Sequence, residues 1–378
     1  MRIHRRALLT GALALSGGVA LPAFARTARQ ASSAPDAALD AAMTTEGAPP
    51  AIAAGIVTRD GLEWSGVRGV RRLGETDAAT LSDRWHIGSN TKAMTAAVFA
   101  RLVEQGRARW AMPLSEAFPG ATLDPGFATT TVDDLMRHNA GLKDAGAMPT
   151  PLVARADTRP APEQRAALAA DVLSRPPNGE AGTFAYANIN YVLVGAAIER
   201  ISGRPWEEMI RTELFEPLSM TSAGLGAPLT NAGGGPNAWG HLIRPEIQRS
   251  IDPASPSSDN PPLSGPAGTA HMTLADYGRF VQAMIGGAPS GWLAPERIGV
   301  LTTALPGDGY AMGWIARPED WNGGAATLAH EGSNTRWHAI VVASREKGLG
   351  FIALSNGGIT GRAVTVPMLK AMIAARTA

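Results

Sequence analysis

Apolar residues recur along this chain with two different periods, and the places where the period changes outline its elements. Residues 52–58 and 62–69 are strand-length apolar runs on either side of Asp60 and Gly61, a pair suited to a two-residue hairpin turn. From Thr91 onward Met94, Val98 and Leu102 recur at every fourth position, Ala97 fills the stripe and Gly106 follows it. Residues 89–105 therefore read as an amphipathic helix with Ser89 at its very start. A second helix is predicted over residues 188–202, with Ile189, Val192, Ala196 and Ile198 facing inward and Gly203 just past its end. Pro205 is well placed to open another helix, running through Phe215. Closer to the C-terminus, residues 337–343 and 349–354 are apolar runs joined by the polar stretch 344–348, and a last helix is predicted over residues 362–376.

Strands at both ends with helices between them predict an α/β (α+β) fold: an antiparallel sheet built from both termini, flanked by helices, with a mostly helical lobe inserted. One domain is expected over residues 37–376, its sheet lobe at about 37–115 and 265–376 and its helical lobe at about 116–264. Residues 231–266 are dense in Gly, Pro, Ser and Asn and carry little periodicity, so they are expected to form a long ordered loop or a lobe boundary.

The first 25 residues follow a different rule. Arg2, Arg5 and Arg6 precede a mild apolar run that ends in Ala23, Phe24 and Ala25, with no acidic residue. That order is expected of an export signal peptide, and the adjacent Arg5 and Arg6 resemble a twin-arginine signal. Residues 26–36 read as a flexible leader, and the mature protein is expected outside the cytoplasm, periplasmic or secreted. Removing the signal takes three positive charges from a formal +1, leaving the mature chain near −2, with no basic stripe for nucleic acid. No uninterrupted apolar stretch long enough to span a bilayer follows, so no stable membrane insertion is expected after signal removal. With no cysteine, disulfides, thiol catalysis and Cys-ligated metal are excluded.

Lys92, Lys143, Lys347 and Lys370 are the chain's lysines, and two of them complete an SxxK pattern. Ser344 to Lys347 falls in the turn of the C-terminal hairpin, where both side chains are expected to face water. Ser89 to Lys92 falls in the first turn of a helix, where side chains three apart share a face about 5–6 Å apart at Cβ. There a lysine can take the proton that keeps a serine hydroxyl a poor nucleophile, and unpaired N–H groups at the helix start can stabilise an oxyanion. An N-cap serine followed by a solvent-facing lysine is the plainer alternative.

The surrounding residues resemble a known family. The run Ile87, Gly88, Ser89, Asn90, Thr91, Lys92, Ala93, Met94, Thr95 is similar to the nucleophile helix of the serine β-lactamase-related family, which takes in class C β-lactamases, D-alanyl-D-alanine carboxypeptidases, D-aminopeptidases and esterases. Tyr186, Ala187 and Asn188 match its YxN element, residues 135–142 (LMRHNAGL) its LLSHTSGL loop, and Pro266, Ala267, Gly268 with residues 274–280 its PAGGLxST segment. The resemblance spans about residues 36–373. It implies Ser89 as nucleophile, Lys92 and Tyr186 as its proton-transfer partners, and Asn188 as a contact of substrate and lysine. Where lactamases carry a KTG strand triad, this chain reads His330, Glu331, Gly332, Ser333. By position, Gly332 would let the strand approach the substrate, the N–H of Ser333 would join that of Ser89 as the oxyanion hole, and His330 would stand in the lysine's place.

These residues imply a serine hydrolase acting through an acyl-enzyme on a small ester, amide or peptide, without metal or other cofactor. Alternatives are a carboxypeptidase or β-lactamase acting on cell-wall peptides or β-lactams, and a penicillin-binding-like receptor that has lost turnover. With a histidine in the lysine place and the anion Glu331 in the threonine place, substrates without a nearby carboxylate are expected to be preferred, unless strand alternation points Glu331 away from the site or Arg336 restores a positive charge. No GxSxG nucleophile elbow occurs, and His86, His138, His241, His271 and His338 have no zinc-site spacing.

Overall fold

The computed structural model describes residues 33–377 apart from 245 and 308, so the expected export signal and most of the expected leader lie outside the described residues. From Ala34 onward the chain forms one compact unit. Its centre is an antiparallel sheet of six strands: β1 (Ala51–Thr58), β2 (Gly61–Gly69), β3 (Ile315–Pro318), β4 (Ala326–Ser333), β5 (His338–Ser344) and β6 (Leu349–Ser355). Their order is β2-β1-β6-β5-β4-β3. The pairing of β1 with β6, from Ile52 opposite Ser355 to Thr58 opposite Leu349, joins the two ends of the chain in one sheet. The helices that matter here are α1 (Ala34–Thr44), α2 (Thr91–Glu104), α3 (Asn188–Ser202), α4 (Leu274–Gln282) and α5 (Arg362–Thr377). The first three residues of α1 fall inside the expected leader.

Strand alternation divides the sheet into two buried faces. Ile52, Ala54, Ile56, Ile340, Phe351 and Ala353 pack with Leu39 of α1 and with Leu369 and Met372 of α5. Ala53, Val57, Ala339, Val341, Ile352 and Leu354 belong instead to the larger core, which contains α2, α3 and α4. Truncating a fully buried side chain such as Phe351 to alanine would cost about 3–5 kcal/mol. Two-sided burial explains why β1, β5 and β6 read as near-continuous apolar runs.

Two segments differ from expectation. The helix expected over 205–215 is an α-helix, Trp206–Ile210, that continues as a π-helical turn, Arg211–Phe215. The stretch 231–266 is more than a loop, because Gly240–Arg244 and Ile247–Ile251 pair as a hairpin. Ile247, Gln248 and Arg249 are all exposed, so the second strand buries no face that would leave an alternating pattern. No helix among the described residues is long and apolar enough to cross a membrane.

Candidate active site

Ser89 sits at the junction of the sheet's inner core and α2. The two-residue strand Trp85–His86 turns at Gly88, whose φ of 52° is in the left-handed region, into a 3₁₀ turn over Gly88–Asn90. Helix α2 starts only at Thr91, with Asn90 as its N-cap residue and no side-chain cap. Ser89 is thus not a capping serine. Thr91 closes the turn: its hydroxyl donates to Gly88 O (2.7 Å) and accepts from Ala270 N (3.1 Å).

Lys92 is fully buried, and its Nζ has three oxygens within hydrogen-bonding reach. Nζ lies 3.0 Å from Ser89 Oγ, 2.8 Å from Asn188 Oδ1 and 2.7 Å from Ala267 O. Thr95, one turn on, donates to Pro266 O at 2.7 Å. The segment 266–268 therefore serves the site through its backbone carbonyls. Asn188 opens α3, and its amide is fixed from behind: Nδ2 donates to Asp144 Oδ2 (2.9 Å), while Ile189 N donates to Asp144 Oδ1 (2.9 Å). With its amide so oriented, Asn188 must turn Oδ1 toward Lys92. Sequence reasoning missed Asp144. The available signal was a lone carboxylate two residues beyond the LMRHNAGL loop.

Tyr186 lies over this group, its ring centroid 5.0 Å from Lys92 Nζ, and it is 44% exposed. His138 packs beneath it with centroids 4.5 Å apart, and Tyr310 and His330 complete the shell at 6.3 and 6.2 Å. Burial, with the charge of Lys92 and then of His330 adding to it, holds the His138 imidazole well below its ordinary range. Burial also pushes the Tyr191 and Tyr310 phenols up. The rings of Tyr186 and Tyr191 both face Lys92 Nζ, the second with its centroid at 5.7 Å.

On β4, His330 and Gly332 oppose Val341 and Ala339 of the inner core, whereas Glu331 opposes Ile340 of the outer core. His330 is 4% exposed, donates through Nδ1 to Glu331 O (2.8 Å), and accepts at Nε2 from Tyr310 OH (3.0 Å). Burial, reinforced by Lys92, pushes its pKa down to about 3. The expectation that His330 meets the substrate is corrected: it is absent from the wall of the pocket and supports Tyr310 from behind. Glu331 is corrected too. It points to the outer face, where it pairs with His338 (3.2 Å) and Arg362 (2.7 Å), so its charge does not face Ser89. The His338 contact first, and Arg362 after it, hold this carboxyl at about 2 against its partial burial.

Gly332 runs directly against the Ser89 turn, since a Cβ there would collide with Ile87 O and lie 2.7 Å from Ser89 N. Ser333 directs its hydroxyl to the turn, donating to Trp337 O at 2.6 Å and accepting from Thr335 N at 2.9 Å. Beyond it Arg336 is half-buried; burial lowers its pKa, and the charges of Arg249, Arg155 and Arg244 add to that.

Ser89, Asp144, Tyr186, Asn188 and Ser333 line one pocket of about 310 Å³. It shares Ala154 and Asn260 with a neighbouring cavity of about 640 Å³. The second SxxK pair is elsewhere and differs from expectation. Ser344 is fully buried, donating to Asn322 Oδ1 at 2.5 Å and accepting from Lys347 N at 2.9 Å, while Lys347 itself is exposed. Among the described residues no group of three His, Asp or Glu side chains is placed to hold a metal ion.

Known proteins place this geometry in context. The chain is 27% identical to an unguisins hydrolase of Aspergillus campestris over 67% of its own length, spanning 45% of that relative. It is 27% identical to penicillin-binding protein 4 of Amycolatopsis lactamdurans, with 77% of each chain covered. Among solved structures, the octameric penicillin-binding protein homologue from Pyrococcus abyssi superposes with a TM-score of 0.72 at 24% identity, over 90% of this chain and 77% of that one. The family model for β-lactamase matches residues 36–373, and the chain therefore belongs to the β-lactamase family.

Proposed function

We propose that this protein is a serine hydrolase that cleaves an ester or amide through an acyl-enzyme on Ser89. The observation that carries the reading is Lys92: buried, aimed at Ser89 Oγ from 3.0 Å, and held there by Asn188 and Ala267. Lys92, held in place by Asn188 and Ala267, takes the Ser89 proton as Oγ attacks the carbonyl carbon. Tyr186, with its phenol open to the pocket, passes that proton to the leaving group. The C–O or C–N bond then breaks, leaving an ester on Ser89, and water attacks it by the reverse proton route. The backbone N–H groups of Ser89 and Ser333 bind the carbonyl oxygen as it becomes an oxyanion, and losing one such donor typically costs about 10²–10³ in rate.

The substrate class this reading favours is an ester or amide without a carboxylate near the reacting carbonyl, because the residues lining the Ser89 pocket include the carboxylate Asp144 and no Lys, Arg or His. A second reading, a carboxylate-bearing lactam or D-alanyl peptide, is favoured by Arg155, which lines the cavity adjoining the Ser89 pocket. The test is kcat/KM for p-nitrophenyl butyrate, a D-amino-acid p-nitroanilide and nitrocefin on the mature protein, each divided by its uncatalysed rate. Ester or anilide preference supports the first reading, and lactam preference the second. No turnover with any of them, despite labelling of Ser89 by a fluorophosphonate, would favour a receptor. The signal read at residues 1–25 makes this an exported enzyme, checked by N-terminal sequencing of the protein recovered outside the cytoplasm.

A further inference from the structure

Two backbone N–H groups from segments remote in sequence must be held a fixed distance apart if an oxyanion is to fit between them. The Ser89 side is set by Gly88, whose N–H donates to His86 Nδ1 at 3.1 Å. Gly88 has no room to move toward β4, since even a Cβ there would collide with Ser333 N. Because Nδ1 accepts this bond, the proton of His86 is on Nε2. That nitrogen lies 2.8 Å from Asp259 Oδ1, at ion-pair distance though off the line of a hydrogen bond. His86 is 1% exposed, and the Asp259 side chain 9%.

The Ser333 side is set by the turn after β4. Asn334 follows Ser333, and its Oδ1 accepts from Arg336 N (3.1 Å) and Trp337 N (3.2 Å), which fixes the turn. Its Nδ2 donates to Asp259 Oδ1 at 2.9 Å, the same oxygen that faces His86. Asn260 N also donates to that oxygen, at 2.7 Å, and Asn260 lines the Ser89 pocket. One carboxylate oxygen thus ties the segment carrying Ser89 to the segment carrying Ser333.

We infer that Asp259 is a positioning residue for the oxyanion hole, acting through His86 on Gly88 and Ser89 and through Asn334 on Ser333. Its carboxylate selects the His86 tautomer that can accept from Gly88, and it sets the spacing of the two donors without touching the substrate. This rests on the reading of Ser89 and Ser333 as the oxyanion-hole pair.

A positioning role has a specific signature. Asp259→Ala lowers kcat for p-nitrophenyl butyrate by about 10²-fold, the loss expected when a reacting group is displaced by about 1 Å, while KM changes less than threefold. Phenylboronic acid, which becomes a tetrahedral anion when a serine oxygen adds to it, binds Asp259→Ala more weakly by a factor that tracks the loss in kcat. Asp259→Asn keeps an acceptor oxygen and recovers at least tenfold of the loss. His86→Phe, which fills the space without an acceptor, reproduces the effect, and the double variant with Asp259→Ala is no slower than the worse single one. A change in kcat below threefold, or an increase in KM alone, would overturn the inference and leave Asp259 as a wall of the larger cavity. If Asp259→Ala does not fold, judged by its thermal midpoint, His86→Phe and Asn334→Ala carry the same test. Ser89→Ala separates the two levels: if it still turns over, the reading of the site fails, and if it is dead while Asp259→Ala is active, only the positioning role fails.

Discussion

Adding one methyl group at Gly332 tests how closely β4 must pass the Ser89 turn. A Cβ at this position would lie roughly 1 Å inside the closest approach that real Cβ atoms make to another heavy atom, and the atom it meets is the carbonyl oxygen of Ile87. Ser89 N at 2.7 Å and Asn90 N at 3.0 Å are the next neighbours. All three belong to backbone, so no rotamer change relieves the clash, and strand and turn must separate by about 1 Å. A displacement of that size at a reacting group is worth about 10²-fold in rate. Overpacking of this kind typically costs about 1–3 kcal/mol of stability. Gly55→Ala in β1 is the control, because its Cβ would meet only the side-chain ends of Leu62 and Leu274, at 3.0 and 3.4 Å. The assay is the rate of Ser89 labelling by a fluorophosphonate, read beside the urea midpoint of each variant. Gly332→Ala is expected to label about 10²-fold more slowly at a temperature where it remains folded, and Gly55→Ala to label within a fewfold of wild type. If Gly332→Ala labelled within threefold of wild type, the close passage of β4 would have no part in activating Ser89.

Ser89→Ala should abolish both labelling and turnover. Its unfolding free energy should stay within about 1 kcal/mol of wild type by urea titration, since the lost hydroxyl makes one bond to Lys92 and caps no helix. Lys92→Ala and Tyr186→Phe should each lower kcat by roughly 10²–10⁴-fold. Their double variant should lose clearly less than the product of the two, because both act on one proton; a multiplicative loss would show independent action. Acid should destabilise the fold well above carboxylate pH, because His330 and His271 are held by burial at about 3 and about 4, below the ordinary 6.5. With the folded value depressed, their contribution is complete above pH 6.5 and is lost as pH falls toward the folded values, by about 2 kcal/mol each at pH 5. Urea midpoints at pH 7 and 5 check this, His271→Gln should flatten the difference by at most about a third because the buried His138 is depressed as well, and equal midpoints in the wild-type protein would refute it.

What sequence alone revealed, and what it did not, follows the range of the interactions involved. Helix α2, helix α3 and the two hairpins of the main sheet were legible because each is set by local periodicity and by a turn or stop residue such as Gly61 or Gly203. The hairpin of Gly240–Arg244 with Ile247–Ile251 was not, because a strand exposed on both faces over Ile247–Arg249 carries no apolar alternation and looks like any polar loop. The direction of Glu331 shows the limit more sharply. Alternation requires His330 and Glu331 to face opposite ways, yet it cannot say which of them faces Ser89. That is decided by register: Glu331 opposite Ile340, and Ile340 packed against α5. The same limit hid Asp144 and Asp259, which are unremarkable carboxylates in loops until folding brings Asn188 to one and both His86 and Asn334 to the other. Motifs single out groups that bond to a reacting atom, because their identity and spacing are constrained along the chain. The groups that hold those in place are constrained only across space, and in this protein they are carboxylates whose partners lie 44 residues away for Asp144 and Asn188 and 75 for Asp259 and Asn334.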